Sequence, residues 1–470
     1  MLCLLLSQLT FAEPSSISTT GSLRIHYTNR PGFLLDYQKN ELNSGWTLDS
    51  RLRGGLHVQQ DAWQFVLSGD VFHGQLLGDA WGIDNPLHRY HPERLGVINA
   101  DNFLLREAHL KTQIGPVGLL AGMVTSHWGL GLVSNDGAHE HEFGRADYGD
   151  RVVRTAIFTK IADVRLSLAG DYVFEDDIGG LHDNYHAYQA LTSALYAPQD
   201  DQQLGVLGVY RHQTDIITDR VLHGFFLDAF GTTTQTIGDI SILAAAEVAY
   251  LNGFSDRITN RANPEGLAVS SLGSAFQTKI QHRSLGELGL RGGYASGDAD
   301  PSDSQYNSFT FDRDHNAGAL LFDVHQAARE LAEYNLVTDP KYAGDPPDGV
   351  DSMITEGAIR ETLFIQPHLS YNITEQIKLR LGSVLAWSTV PIRSGFISYR
   401  NGGVPLNYLG EETEGNMLGT EINWRVHADI PIYDPIKGRF YIEGAHLLPS
   451  SNLGTESVLS LFRVQSEFAW

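Results

Sequence analysis

The chain has almost no cysteine: of its 470 residues, Cys3 is the single one, and it lies in the first segment. A mature form beginning after that segment has no disulfide framework, as suits an exported protein without disulfides and equally many cytosolic ones. Long apolar runs are scarce as well. With 42% hydrophobic residues, 19% charged residues and a mean hydropathy of −0.19, the chain is not a helical membrane protein with several spans of about 20 apolar residues. A membrane β-barrel is not excluded by this, because each of its strands hides a lipid face behind every second residue. Positive charge is in deficit too. Lys and Arg number 33 against 56 Asp and Glu, a net charge of −23, which argues against a nucleic-acid partner that would need a basic surface.

What is abundant is glycine (48) and tyrosine (19), formers of turns and of interfacial rings. The last fourteen residues show how the rest is organised. With a period of two, Val458, Ser460, Phe462, Val464, Ser466, Phe468 and Trp470 share one face, and Leu459, Leu461, Arg463, Gln465, Glu467 and Ala469 the other. A soluble sheet with one wet side could carry such a strand. An aromatic at the chain end is another matter, since soluble folds usually fray there into polar residues. The pattern resembles the C-terminal signal of Gram-negative outer-membrane β-barrels. That resemblance implies a last strand that closes the barrel and is read by the barrel-insertion machinery.

At the other end, residues 1–12 form a short apolar run ending in Ala12 before Glu13 and Pro14. The run reads as a secretory signal peptide cut after Ala12, although no Lys or Arg precedes Arg24. Alternating segments follow. Trp46, Leu48, Leu52, Leu56 and Val58 oppose Asp49, Arg51, Arg53, His57 and Gln59, and no soluble core would tolerate the second face turned inward. A short turn leads to Trp63, Phe65, Leu67 and Val71 opposite Gln64, Ser68 and Asp70, which makes an antiparallel meander. The unit recurs along the chain. Short turns alternate with long polar connections at residues 73–101, 127–150, 298–355 and 389–415, longer than one compact domain usually holds.

Both ends on one side of a membrane require an even number of strands. Counting Tyr185 to Ala197 as a strand gives eighteen, with sixteen as the alternative. The expected fold is therefore all-β: one closed antiparallel transmembrane β-barrel over residues 13–470, with short periplasmic turns and long extracellular loops. Eighteen strands leave a lumen that wall side chains alone cannot fill, so the long loops must constrict, plug or cap it.

The inward faces carry Arg24, Arg51, Arg53, Lys111, Arg154, Arg165, Arg291, Arg360, Lys378, Arg380, Arg425, Arg439 and Arg463. They also carry Asp49, Glu107, Asp171, Glu287, Glu421, Glu443 and Glu467. Such a wall either attracts anions, as fields in a narrow low-dielectric channel reach several kT, or consists of cross-strand ion pairs that stiffen it. Trp46, Trp63, Trp387 and Trp470 are expected at the membrane interfaces. Asp298, Asp300 and Asp303 form an acidic cluster whose natural cation would be calcium, though the helical calcium-loop pattern is missing; the other reading is a solvated acidic loop. His139-Glu140-His141-Glu142 lacks the spacing of a zinc helix. No nucleophile elbow, phosphate loop or dinucleotide fingerprint occurs, and no other cofactor or covalent chemistry is implied.

Two further stretches carry a resemblance. Gly122-Met123-Val124 to Ser134-Asn135-Asp136-Gly137, around Trp128-Gly129-Leu130-Gly131, resembles the strand-to-loop passage of large proteobacterial barrels. Gly293-Tyr294-Ala295-Ser296-Gly297-Asp298, continued by Phe309 to Phe322, looks like a segment of alginate-export-type and related substrate-specific porins. The resemblance implies eighteen strands, a cationic loop-gated lumen and an outer-membrane location. The function expected is a passive channel for polar, anionic or saccharide-like solutes, gated by loops 298–355 and 389–415 and surrounded by outer-membrane lipid. A structural barrel anchoring a cell-envelope or adhesion complex is the alternative from a different class.

Overall fold

The computed structural model of the chain describes residues 16–35, 41–60, 62–79, 99–138, 141–146, 149–173, 185–199, 201–215, 218–260, 262–338, 355, 357–401, 404, 406–413, 415–453 and 457–470. Residues 1–12, where the sequence suggests a signal peptide, lie outside them. One antiparallel sheet closes on itself. Its order follows the sequence, apart from the two-residue Gln305–Tyr306 that lies alongside Leu267–His282 in parallel and adds nothing to the wall. Eighteen strands remain. Closure is made by Ser16–Arg30, which pairs with Gly45–Gln60 on one side and with the C-terminal Leu459–Ala469 on the other.

The strand the parity argument required is present: Tyr185–Gln199 pairs with Val164–Val173 and with Gln202–Asp215. Alternation also sets the faces as expected. Ile25, Leu52, Leu110, Leu168, Leu227, Phe462 and Val464 are exposed to the outside, while His26, Arg51, Asp171, Asp228, Arg463 and Gln465 are buried within. This separation is what a lipid-facing barrel needs, because a Lys or Arg on the lipid face at the bilayer midplane costs about 2–4 kcal/mol. Trp46 and Trp387 lie near the long-loop ends of their strands, and Trp63 and Trp470 near the short-turn ends. Trp46 stacks on Tyr27 at 6.0 Å.

Several expected loop bounds move. The connection placed at 73–101 is shorter, because its flanking strands run through Gly78 and from Asn99. Phe72 and Gly74 take positive φ and the register shifts between Ser50 and Leu52; such a bulge breaks the period-two pattern without ending the strand. The 298–355 connection holds a helical turn, Leu321–Gln326, that runs into the helix Ala327–Thr338, and the 389–415 connection holds the short helix Gly395–Arg400. The connection at 127–150 turns into the lumen rather than standing clear of the barrel.

The inserted chain brings its own apolar core. Phe309, Phe311, Leu320 and Leu321 pack against the inward Phe364, Val384, Leu447 and Leu461 of the wall. Near the loop end, therefore, the inner face of the last strands is apolar, and Leu459 and Leu461 are buried ahead of Arg463.

The barrel seam rests on a close approach. Gly21 and Trp470 exchange both backbone hydrogen bonds, 3.0 and 2.9 Å, and a β-carbon on Gly21 would fall inside the Trp470 indole. Gly21→Leu should therefore destabilise the folded barrel by about 1–3 kcal/mol, the usual cost of overpacking. Heat-modifiable gel migration reads this as loss of the compact band at lower temperature. Gly54→Leu, where a β-carbon meets nothing within 4 Å, is the neutral comparison, and equal behaviour of the two would remove the indole from the seam.

Candidate functional site: a loop-partitioned lumen

Register places the inward charges opposite one another. Arg53 faces Asp70, Arg154 faces Asp171, Arg425 faces Glu443, and Glu443 faces Arg463. Arg53 grips Asp70 through two bonds of 2.7 and 2.8 Å, and Arg154 grips Asp171 through two of 2.8 and 2.7 Å. Glu443 takes Arg425 at 2.8 Å and Arg463 at 3.3 Å. Arg24 and Arg51 lie 3.4 and 3.8 Å from Glu467. Bidentate pairs of this kind fix both side chains in one geometry, so the wall cations are a stiff framework as well as a source of field.

Two inserted segments cross the lumen, each held by buried charge. From the 127–150 connection, Glu142 reaches Lys279 at 2.7 Å and Arg291 at 2.9 Å on the far wall. Burial alone would raise the Glu142 carboxyl, but Arg291, Lys279 and His368 hold it well below the usual range. Arg145 from the same segment meets Asp49 at 3.1 Å, and Arg380 and Arg425 donate to the carbonyls of Glu142 and Gly144. In the second segment, Glu421 accepts the backbone N–H groups of Ala319, Leu320 and Leu321 at 2.7, 3.2 and 2.6 Å, at the start of the helical turn. A carboxylate there satisfies amides that have no partner within the helix.

The expected lining residues thus take different roles. Arg51, Arg53 and Arg425, with Arg24, Arg145 and Arg439, surround a cavity of ≈ 230 Å³ at the barrel seam. Arg291, Arg380, Asp49, Glu421 and Glu287 hold the inserted chain or its anchors; Glu287 lies 3.2 Å from His368 and 3.8 Å from Lys279. Arg463 is tied up with Glu443, and Glu107 accepts from Ser68 at 2.9 Å. Lys111, Arg165 and Lys378 are solvent-exposed near the short-turn end, with Lys111 5.1 Å from the centre of the Phe158 ring. Arg360 departs from the expectation of an inward wall position. It precedes the strand Thr362–Asn372 and pairs with Glu330 of the inserted helix at 3.6 Å, because the alternation that suggested a strand there begins two residues early.

The acidic cluster turns its carboxylates on its own backbone: Asp298 accepts from Asp300 N at 3.2 Å, Asp300 from Ser302 N at 3.1 Å and Asp303 from Gln305 N at 2.7 Å. Each of these bonds closes an Asx turn through one carboxylate oxygen. A different set, Glu142, Glu287 and His368, does converge closely enough to ligate a metal. Lys279 and Arg291 already neutralise it. His139 and Glu140 lie outside the described residues.

Sequence reasoning missed the main cavity. A space of ≈ 500 Å³ runs along the wall from Arg257 and Ile258 at the loop end to Ser167 and Ser193 toward the short-turn end. Its wall side carries Arg151, Arg154 and Arg211 among Leu191, Leu207, Val209, Leu222, Phe226 and Leu251. Its loop side carries Asp150, Asp312, Asp314, Arg313 and Phe309. Burial, with Asp150 and Asp314 alongside, pushes the Asp312 carboxyl well above its ordinary value. Arg211 has the inward parity of its strand, but the apolar inward Leu207 and Val209 beside it look in the sequence like weak alternation, and Arg151 and Arg257 stand at or beyond strand ends, where parity does not place them.

No protein-family profile and no curated protein matches the sequence. Solved structures do match the fold. The Pseudomonas aeruginosa protein OpdK with vanillate aligns at a TM-score of 0.54 and 11% identity over 97% of this chain and 98% of that one. A BenF-like porin from Pseudomonas fluorescens Pf-5 gives 0.53 and 11% over 97% and 98%. The outer membrane protein OprD from Pseudomonas aeruginosa gives 0.52 and 11% over 97% and 94%. Over nearly its whole length, then, the chain has the closed eighteen-stranded antiparallel barrel fold of these Pseudomonas outer-membrane porins.

Proposed function

We propose that the protein is an outer-membrane channel for small organic anions that carry an apolar body. The observation that carries this reading is the lining of the ≈ 500 Å³ cavity: arginines at intervals on a bed of Leu, Val and Phe, along a stretch of wall that the described loops leave open. An aliphatic bed holds a small apolar group, and guanidinium groups bind a carboxylate in a planar, often bidentate geometry. The bulk of the solute and its charge are both provided for. That one of the fold neighbours was solved with vanillate, an aromatic carboxylate, is in keeping with this. The seam cavity, ringed by Arg24, Arg51, Arg53 and Arg425, adds positive field toward the short-turn end. Gating would fall to the described parts of 127–150 and 298–338 that lie in the lumen, and to 389–415, whose Ile392 and Tyr408 pack with them and whose Gly395 N–H donates to Glu333 of the inserted helix. No covalent step enters this reading.

Planar-bilayer recording tests it. The wild-type channel should pass anions in preference to cations, and Arg151→Gln with Arg211→Gln should lower the anion-to-cation permeability ratio by about threefold to tenfold, an effect that fades at high salt. Absence of any steady current would favour a plugged structural barrel instead. Arg51→Glu with Arg380→Glu should also shift selectivity away from anions; an unchanged ratio would mean that these two side chains do not line the conduction path.

Solute class is read by block. Aromatic and branched aliphatic monocarboxylates should interrupt the current at concentrations about tenfold or more below those at which glucose or a neutral amide does. Equal potency of the neutral compounds would remove the arginines from recognition.

A further inference from the structure

Glu142 belongs to the inserted chain, yet its carboxyl group lies in a hollow built by the wall. Lys279 Nζ meets Oε1 at 2.7 Å and Arg291 Nη1 meets Oε2 at 2.9 Å, one cation to each oxygen. His368 Nε2 lies 3.8 Å from Glu142 Oε1 and 3.2 Å from Glu287 Oε1. Neighbouring strands bring these groups to one level: Lys279 faces Gly289, Gly289 faces His368, and His368 faces Gly382. The two glycines make the hollow. A β-carbon on Gly289 would fall inside the His368 imidazole, and one on Gly382 would lie 2.6 Å from the ring of Phe143, next to Glu142 in the chain.

The wall side of this hollow has donors and positive charge in excess. Lys279 and Arg291 meet one wall acid there, Glu287, which lies 3.8 Å from Lys279. Arg291 also donates to Gln366 Oε1 at 3.1 Å, and because a guanidinium only donates, it fixes that amide with its nitrogen turned away. Gln366 is fully buried, and its Nε2 has no acceptor among the described residues. One further carboxylate balances the charge, and Glu142 supplies it. Access is open as well, since 24% of the Lys279 side chain remains exposed.

We infer that Lys279, Arg291 and His368 form a binding site for a small monocarboxylate, outside the lining of the ≈ 500 Å³ cavity, and that Glu142 fills this site as an internal ligand. Two cations that meet the two oxygens of one carboxylate separately recognise the group and not the chain that carries it. The backbone around Glu142 has other supports: Arg380 and Arg425 donate to the carbonyls of Glu142 and Gly144, and Phe143 is buried against the wall. Taking away the Glu142 carboxyl therefore empties the site without removing the segment. What is left is a charged hollow of the size of the group removed, open to a free carboxylate.

Chemical rescue tests this on the full-length barrel in detergent, with heat-modifiable gel migration as the readout. Glu142→Ala removes the heavy atoms of one acetate and leaves two cations without their acid. Its compact band should be lost at a temperature lower by about 5 °C or more than that of wild type. Acetate at fixed ionic strength should reverse this loss at concentrations about tenfold below those at which chloride does, because only the carboxylate reproduces both contacts. Glu142→Ala combined with Lys279→Met removes both sides of the pair. It should be more stable than Glu142→Ala alone in chloride and gain nothing from acetate. An undiminished stability of Glu142→Ala, equal potency of chloride, or an equal gain from acetate in the double variant overturns the site. Should Glu142→Ala not fold in chloride, it is refolded in acetate, and the lack of a compact band there overturns the site too. None of these readouts needs a current, so they stand or fall apart from the channel reading.

Discussion

Hydrocarbon offers no hydrogen bonds, and this one constraint governs the molecule. Every peptide group of a strand facing lipid must find its partner in the next strand, so the sheet has to close. Closure falls to Ser16–Arg30, paired on both edges, and to the Gly21–Trp470 exchange at its short-turn end. Once the ladder is continuous, the direction of each side chain follows from its parity. Leu52 goes to lipid and Arg51 and Arg53 to the lumen because each peptide step reverses the face, not because either residue selects its surroundings individually.

Closing eighteen strands creates the next problem, a lumen too wide to be filled from the wall. The protein answers with chain rather than with bulk. The described parts of the connections at 127–150 and 298–338 fold inward and are fastened by buried polar groups: Glu142 among Lys279 and Arg291, Glu421 under three amides, and Asp228 under the Trp128 indole. Each anchor uses a group that would be costly to bury alone and is stable when its partners are in place. Apolar contacts such as Phe311 with Phe364 and Leu320 with the wall fill the remaining space. The cavity left over is therefore defined by where the inserted chain does not reach.

The wall was legible in the sequence to the level of single strands. Alternation from Trp46 to Val58, the short turn before Trp63 and the parity of the strand count gave the barrel. The interior was less legible. Arg360 reads like a strand residue but meets Glu330 on the inserted helix. Asp298, Asp300 and Asp303 each accept the backbone N–H two residues on, an Asx turn that acidic composition alone does not show. The His73 region reads like a loop but is a bulged strand. In each case the deciding partner is local geometry or a residue far away in the chain, and a period-two pattern records neither.

By itself the sequence pointed to a closed barrel of eighteen strands, with sixteen as the alternative, and to which side chains share the outer and the inner face of each strand, because a strand's faces are fixed by counting. Only the tertiary structure decided which of those charges pair, which hold the inserted loops and which border open space. Those outcomes depend on contacts such as Glu142 with Arg291 and Trp128 with Asp228, separated by 149 and 100 residues. Such distances are bridged by the path of the loops through the lumen, and that path is set by packing.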